Sequence, residues 1–132
     1  LVLGNLYAKR DWGHAKDYVD SMWKILQQKK ADDYVISTGK TFTIKDFVNK
    51  AAKKINFNIK WKGKGIKEKA INIDNKEVII ECKKRYFRPL EVDYLRGSAR
   101  KANRILKWFP KISIDDLIDD MIEHELKNNN DQ

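Results

Sequence analysis

Apolar residues recur at helical spacing in four stretches of this chain of 132 residues, which predicts four amphipathic helices. The predicted helices cover residues 14–28, 44–55, 98–107 and 114–126. The first is expected to bury one apolar face, formed by Ala15, Tyr18, Val19, Met22, Trp23 and Leu26. The last two are expected to bury Ala99, Ala102, Ile105 and Leu106, and then Ile114, Leu117, Ile118, Met121, Ile122 and Leu126.

Capping signals mark the start of two of these helices. Thr43 is followed by Asp46, and Ser113 by Asp116, so that a hydroxyl and a carboxylate lie three residues apart. Each group can accept a hydrogen bond from the other residue's backbone N–H, which satisfies two donors that a helix start leaves unpaired. These pairs therefore predict the N-termini of the second and fourth helices.

Short apolar runs between the helices predict strands. Residues 1–3 and 34–36 are apolar, and the order strand, helix, strand, helix favours a parallel α/β arrangement. From residue 57 to residue 80 the pattern changes to alternation, with Phe57, Ile59, Trp61, Ile71 and Ile73 expected on the buried face. This stretch predicts an antiparallel meander of three strands, which Pro89 ends. The fold class is therefore α/β, with short strands and four helices.

Composition and length favour one folded portion. Hydrophobic residues make up 42% and charged residues 36%, and no linker divides residues 1–127. The polar residues 128–132 are expected to form a disordered tail. No apolar run approaches the ~20 residues of a membrane span, and no secretory signal is visible. Because the single cysteine, Cys82, cannot form an internal disulfide, we expect a reducing, cytoplasmic environment.

The formal net charge of +9 allows two interpretations. One is a polyanionic partner, and the other is the lysine-rich codon usage of an AT-rich genome. The stretch from Lys60 to Lys67 interleaves cations with Trp61, as a nucleic-acid-binding hairpin would. A basic nucleic-acid-binding module that uses residues 60–69 is therefore an alternative function.

Arg10, Arg88 and Glu91 are the candidates for ligand binding. A guanidinium binds phosphate oxygens with a planar fork, and a carboxylate accepts hydrogen bonds from two vicinal hydroxyls. Proline at position 89 fixes the backbone between the two charges of the second pair. The alternatives are surface ion pairs, between Arg10 and Asp11 and between Arg88 and Glu91, which contribute little to stability.

Other reactive side chains do not form a catalytic arrangement. His14 is expected to cap or pack the first helix, and His124 to be solvated. The cations that follow Cys82 would lower a thiol pKa, but no orienting base is evident, so we predict no catalytic role. No metal-binding spacing of histidine and cysteine occurs, and we expect neither a catalytic residue nor a metal site.

Two blocks of sequence carry a family resemblance: Lys9-Arg10-Asp11-Trp12-Gly13-His14 and Arg85-Tyr86-Phe87-Arg88-Pro89-Leu90-Glu91-Val92. They resemble the extended short-chain dehydrogenase/reductases that act on nucleotide sugars, and most closely the GDP-mannose 4,6-dehydratases. Gln27-Gln28, residues 32–39 and a Trp-x-Gly-x-Gly loop at Trp61 agree with this. Leu90 departs from the small polar residue that is frequent at its position.

The resemblance implies the C-terminal, substrate-binding portion of such an enzyme, without its Rossmann half. The first residues, which lie inside an element and lack an initiating Met, are expected for such a fragment. Arg10 and Arg88 would bind the diphosphate of GDP-mannose, and Glu91 the ribose. Family members oxidise the hexose at C4 with NADP, eliminate water across C5 and C6 and return the hydride, which yields a precursor of GDP-fucose.

This chain has no Tyr-x-x-x-Lys pair and no glycine-rich dinucleotide motif, because Gly63-Lys64-Gly65 follows no βα unit. We therefore expect it to bind no cofactor and to be inactive as a lyase by itself. The open strand edges of a fragment favour a homo-oligomer. No membrane or specific nucleic-acid partner is expected. A portion of another nucleotide-sugar epimerase or dehydratase remains an alternative.

Overall fold

A mixed sheet of four strands forms the centre of one of two units in the computed structural model, which describes residues 1–88 and 90–130. The first unit comprises residues 1–9 and 42–94, and the second comprises residues 10–41 and those from 95 onward. The elements in chain order are β1 (Val2–Leu3), β2 (Lys9–Arg10), α1 (Ala15–Leu26), β3 (Phe42–Thr43), α2 (Ile44–Lys54), β4 (Ile59–Lys62), β5 (Lys69–Asn72), β6 (Val78–Cys82), α3 (Arg100–Ile105) and α4 (Ile114–Asn130).

The sheet of the first unit has the strand order β1-β6-β5-β4. β4, β5 and β6 are antiparallel neighbours, so the predicted meander is confirmed. β1 pairs parallel to β6, with Val2 opposite Glu81, and the parallel arrangement expected for the α/β order is limited in this sheet to that pair. The α/β class with short strands and four helices is confirmed in the described residues.

The buried face of β5 differs from the prediction. Ala70 and Asn72 are buried, whereas Ile73 is 44% exposed and Ile71 only half-buried. Glu68 lies in the same alternation as Ala70 and is also buried, because side chains two residues apart share one face of a strand. A small residue and two polar residues thus occupy the inner face where the apolar pattern predicted isoleucines.

The second helix, α2, begins as the sequence predicts. The Thr43 hydroxyl accepts a hydrogen bond from the backbone N–H of Asp46, and the Asp46 carboxylate accepts one from that of Thr43, each at 2.9 Å. The backbone N–H of Lys45 donates to the carbonyl of Leu6, which links α2 to the segment after β1. The buried apolar residues of this unit are Leu6, Ala8, Ala52, Ala70, Ile80 and Cys82.

Trp108 is the centre of the second unit. Its side chain is fully buried in a cluster with Ala99, Ala102 and Leu106, and its indole N–H donates to the carbonyl of Asp17 at 2.8 Å. Tyr18, Ile25, Tyr34 and Ile36 pack against this cluster. The strand predicted for residues 34–36 is wrong, because the structure assigns no strand there. Alternate side chains of this extended segment pack inward, while Val35 is 57% exposed.

The apolar face predicted for α1 is exposed, contrary to the prediction, except for Tyr18, which packs against the Trp108 cluster. Asp17 and Ser21 are the buried residues of this helix. The exposed fractions of Val19, Met22, Trp23 and Leu26 are 62%, 60%, 63% and 77%. These four residues, which we call the α1 stripe, lie at positions i, i+3, i+4 and i+7 and therefore share one side of the helix. The apolar spacing predicted the helix, but the second unit packs against its opposite, more polar side.

The remaining predicted faces agree in part. In α3 and the following turn, Ala102 and Leu106 are buried, whereas Ile105 and Phe109 are exposed. In α4, Ile114 and Ile118 are buried, and Met121 and Leu126 are exposed. The second capping pair forms, since the Ser113 hydroxyl accepts from the N–H of Asp116 and the Asp116 carboxylate from the N–H of Ser113.

Two sequence predictions concern residues that lie partly or wholly outside the described ranges. Residues 128–130, which the prediction placed in a tail, continue α4, and residues 131–132 lie outside the description. Pro89, predicted to end the meander, also lies outside it. Among the described residues, no helix has both the length and the apolar character that a membrane crossing requires.

Candidate functional site

Arg88 and Glu91 follow the meander in the first unit. Arg88 is exposed and Glu91 is half-buried, and the backbone N–H of Glu91 donates to the carbonyl of Arg88 at 3.2 Å. This hydrogen bond closes a tight turn, which brings the backbones of Arg88 and Glu91 together in one loop. Leu90, between them in sequence, is 95% exposed.

The block that leads to Arg88 packs against the turn after β1. A Cβ atom at Gly4 would lie only 2.2 Å from the carbonyl oxygen of Tyr86, so only glycine permits this approach. The backbone N–H of Lys83 also donates to the carbonyl of Leu3. The start of the chain therefore positions the segment that carries the predicted nucleotide-binding arginine.

The segment after Glu91 runs beside β2. The backbone N–H of Lys9 donates to the carbonyl of Asp93 at 2.7 Å, and Lys9 forms a parallel bridge with Tyr94. The side-chain amide of Asn5 also donates to the Asp93 carboxylate, at 3.4 Å. The residue before Arg10 is thus bound to the segment that follows Glu91.

Arg10 is the first residue of the second unit and is half-buried. The carboxylate of its neighbour Asp11 accepts hydrogen bonds from several donors. Thr38 donates through both its backbone N–H, at 2.9 Å, and its hydroxyl, at 2.5 Å. The backbone N–H groups of Gly39 and Gly97 donate at 2.8 and 3.3 Å.

Asp11 is a positioning residue that the sequence analysis missed. It fixes the loop at residues 38–39 and the turn at residue 97 to the residue that follows Arg10. Sequence spacing alone does not reveal this role, because the donors lie 27 to 86 positions away along the chain. The indication that the sequence offered for this role was the position of Asp11, between Arg10 and the pair Trp12-Gly13.

A second unpredicted cluster surrounds the Glu68 carboxylate, which is buried in the first unit. The Lys45 ammonium lies 2.5 Å from one carboxylate oxygen, and the Tyr7 hydroxyl donates to the same oxygen at 3.1 Å. Burial alone would lower the pKa of Lys45, but the hydrogen bonds with Glu68 and Tyr7 raise it above its ordinary value. The ammonium therefore stays charged.

The aromatic ring of Trp61 lies against this cluster. The Lys45 ammonium is 4.8 Å from its ring centroid, and the indole N–H donates to the side chain of Asn49 at 2.7 Å. These contacts occupy both the polar edge and part of the face of Trp61. Trp61, whose position among lysines suggested a nucleic-acid-binding hairpin, thus makes its contacts within the first unit.

His14 and Cys82 have structural surroundings. The His14 ring caps α1 by accepting from the backbone N–H of Lys16, as predicted, and its other nitrogen lies 3.0 Å from the Asp120 carboxylate. This contact lowers the pKa of Asp120. The expectation of a lowered thiol pKa for Cys82 is wrong, because burial and the nearby Glu68 raise it.

The described residues contain no group of three or more histidine, cysteine, aspartate or glutamate side chains that could hold a metal ion. Gly63-Lys64-Gly65 lies in the connection between β4 and β5, which are antiparallel, and a single 3-10 turn at Gly65–Lys67 follows it. A dinucleotide pyrophosphate binds at the N-terminus of a helix that follows a parallel strand. This loop therefore does not fit NADP.

Comparison with known proteins gives a family match for most of the chain. Residues 1–121 match the family model described as "GDP-mannose 4,6 dehydratase". GDP-mannose 4,6 dehydratase of Drosophila melanogaster is 47% identical over 125 residues, which are 95% of this chain and 32% of that protein. The enzymes of Dictyostelium discoideum and Homo sapiens are 43% and 41% identical, and the aligned regions are 36% and 34% of their lengths. The chain thus spans about a third of the length of these relatives.

Solved structures share the fold. UDP-glucose 4-epimerase from Bifidobacterium longum, in complex with NAD+ and UDP, has a TM-score of 0.68 at 18% identity, over 97% of this chain and 32% of that one. RMD from Pseudomonas aeruginosa, complexed with NADPH, has a TM-score of 0.66 at 18% identity, over 89% of this chain and 33% of that one. At this identity the likeness establishes a common fold for the aligned third.

Proposed function

Since the chain belongs to the GDP-mannose 4,6-dehydratase family, we propose that it supplies GDP-sugar-binding residues to an enzyme that converts GDP-mannose to GDP-4-keto-6-deoxy-mannose. The observation that carries this proposal is the match of residues 1–121 to the family model. The chain spans only about a third of its relatives, so the lyase activity is proposed for the whole enzyme. The isolated chain is proposed to be inactive.

Arg88 and Glu91 are proposed to bind the nucleotide end of the substrate, and Arg10 the diphosphate. Arg88 presents an exposed guanidinium, which suits the fork-like recognition of phosphate oxygens. Glu91 lies on the same tight turn, and its carboxylate is an acceptor for two neighbouring ribose hydroxyls. The bond from Lys9 to Asp93 supports the proposal, since it ties the segment of Glu91 to the segment that leads into Arg10.

NADP is proposed to bind the part of the enzyme that lies outside the aligned third. The related structures hold NADPH, NADH or NAD+ in chains about three times as long as the matched region. The only glycine-containing loop with dinucleotide-like spacing in the described chain connects antiparallel strands. This chain would contribute to hydride transfer only by holding the sugar nucleotide in place.

Two further properties belong to this proposal. The buried, unpaired Cys82 supports a reducing compartment, so we place the enzyme in the cytoplasm. The α1 stripe supports a homo-oligomer of the isolated chain, because four neighbouring apolar side chains on one helix face form an association surface. This argument replaces the open strand edge expected at residues 34–36.

Titration calorimetry of the folded chain with GDP-mannose at low salt tests the proposal. We expect binding that Arg88→Ala weakens by at least about tenfold, since a charge-assisted hydrogen bond contributes about 1.5 kcal/mol or more. Lys84→Ala is the matched control, because it removes the same charge from an exposed position four residues earlier. It should change the affinity by less than about twofold.

Absence of GDP-mannose binding to a chain that circular dichroism shows to be folded would mean that the nucleotide site needs the part of the enzyme outside this chain. The equivalent substitution in the Drosophila melanogaster relative then tests the role of Arg88 within a whole enzyme. If Arg88→Ala and Lys84→Ala weaken binding equally, the affinity reflects net charge, and the assignment of Arg88 is wrong.

A second candidate is a portion of another nucleotide-sugar enzyme, which the fold shared with UDP-sugar epimerases favours. Titration with UDP-glucose beside GDP-mannose distinguishes the two. Tighter binding of UDP-glucose would favour the second candidate. The nucleic-acid-binding alternative loses its main support, because Trp61 contacts Lys45 and Asn49.

A further inference from the structure

An open cleft of about 490 Å³ lies in the second unit. Its walls come from the loop at residues 37–39, the stretch 96–100 with Asn103 of α3, and Phe109 with Pro110. The volume is in the range of small-molecule sites. None of the three residues that we assign to the GDP-sugar is among its lining residues.

The charge of this cleft is positive. Arg96 and Arg100 both line it, and both are exposed to solvent. No aspartate or glutamate is among its lining residues. Two guanidinium groups four residues apart at the rim of one cleft offer several N–H donors to a single anion, with the geometry that suits phosphate oxygens.

Asp11 holds two walls of the cleft together. Its carboxylate accepts hydrogen bonds from the backbone of Thr38 and Gly39 on one wall and of Gly97 on the other. Because one carboxylate binds both walls, the loop and the arginine-bearing stretch keep a fixed separation. Such a preformed arrangement reduces the entropy that binding would otherwise cost.

Ser37 provides a second, independent observation. It lines the cleft, it is 7% exposed, and its hydroxyl oxygen is buried without a hydrogen-bond partner among the described residues. A Cβ atom at Gly97 would lie 2.4 Å from this oxygen, so glycine is what leaves room for the hydroxyl. A buried hydroxyl that lacks a partner is destabilising, and a bound acceptor would relieve that cost.

We propose that this cleft binds a small phosphorylated molecule, with its phosphoryl group between Arg96 and Arg100 and the Ser37 hydroxyl as a further donor. Phe109, which is 57% exposed and lines the same cleft, offers an aromatic surface to the organic part of the ligand. This site does not depend on the proposed function, because it uses other residues.

Nuclear magnetic resonance titration of the full chain with phenyl phosphate and with inorganic phosphate tests the site. We expect the amide signals of Gly39 and Gly97 to shift with both probes. Phenyl phosphate should bind several times more tightly, and Phe109→Ala should remove that difference. Arg96→Ala and Arg100→Ala should each weaken binding by about tenfold, and Ser37→Ala by about threefold to tenfold.

Arg104→Ala is the control, since Arg104 is an exposed arginine of α3 that does not line the cleft. It should change the affinity by less than about twofold. The proposal is overturned if the Gly39 and Gly97 signals do not move, or if Arg104→Ala weakens binding as much as Arg100→Ala does. Equal affinities for phenyl phosphate and inorganic phosphate would contradict the proposed contact between Phe109 and the ligand.

Discussion

The Lys45 ammonium and the Glu68 carboxylate form an ion pair with an N–O distance of 2.5 Å, in which the Glu68 side chain is only 2% exposed. Tyr7 donates to the same carboxylate oxygen, and Trp61 lies against the ammonium. One lysine therefore links α2 to the buried face of the sheet. Removal of one partner of a buried charge pair is strongly destabilising, because it leaves the other charge uncompensated.

Lys45→Met is expected to lower the free energy of unfolding by about 2–3 kcal/mol, because it leaves a buried charge with a single neutral donor. Urea unfolding of the variant measures this loss. Lys53→Met, at an exposed position of the same helix, is the control and should cost less than about 0.5 kcal/mol. Equal effects of the two substitutions would show that the ion pair makes no net contribution.

Asp17→Ala is expected to destabilise the second unit by about 2–4 kcal/mol. The Asp17 carboxylate accepts from the backbone N–H groups of Lys111 and Ile112, each at 2.9 Å, and its removal leaves two donors unpaired. Asp20→Ala removes an acid of the same helix that forms a partly exposed pair with Lys24, and it should cost about 0.5 kcal/mol or less. Thermal unfolding of both variants provides the comparison.

The capping box of α2 predicts a specific dependence of stability on pH. The hydrogen bonds from Thr43 lower the pKa of the Asp46 carboxyl, so the folded state favours its ionised form. This contribution is complete above the ordinary carboxyl pKa of about 4 and is lost as the pH falls through the lowered pKa. Asp46→Asn should therefore cost about 0.5–1 kcal/mol at neutral pH and progressively less below about pH 4.

Thermal unfolding of the native chain and of Asp46→Asn between neutral and acidic pH measures this difference. Asp33→Asn is the control, because Asp33 is an exposed acid outside the helices. A stability difference for Asp46→Asn that is independent of pH would contradict the capping role of the ionised carboxylate.

The α1 stripe is expected to drive self-association of the isolated chain. Light scattering should show a mass that rises with concentration, and Trp23→Lys should shift the chain towards the monomer, since it places a charge among exposed apolar side chains. Val35→Lys, which charges another exposed apolar residue of the same unit, should leave the association unchanged. A native chain that stays monomeric at high concentration would contradict the association.

Features set by neighbouring residues were predictable from the sequence. Thr43 with Asp46, Ser113 with Asp116 and His14 with Lys16 make their hydrogen bonds within two or three positions, so the spacing predicts each cap. The alternation of the meander was equally visible, because adjacent antiparallel strands are joined by short connections.

Features that depend on distant segments were not predictable. Apolar spacing identified α1 but not the side on which the second unit packs, because Asp17 finds its buried partners at residues 111 and 112. Asp11 and Glu68 are likewise acidic residues whose partners lie far along the chain. Asp11 accepts from Gly39, and Glu68 pairs with Lys45. For the site, Arg10, Arg88 and Glu91 came from family resemblance, and the cleft at Ser37 had no signal in the sequence.

The parallel pairing of β1 with β6 has a consequence for biosynthesis. Val2 lies opposite Glu81, so β1 has no partner in this sheet until β6 has been translated. Residues 10–41, which belong to the other unit, emerge in the interval. The nascent chain must therefore keep β1 unpaired while the residues between the two strands are translated, and this short apolar strand is a target for cotranslational chaperones.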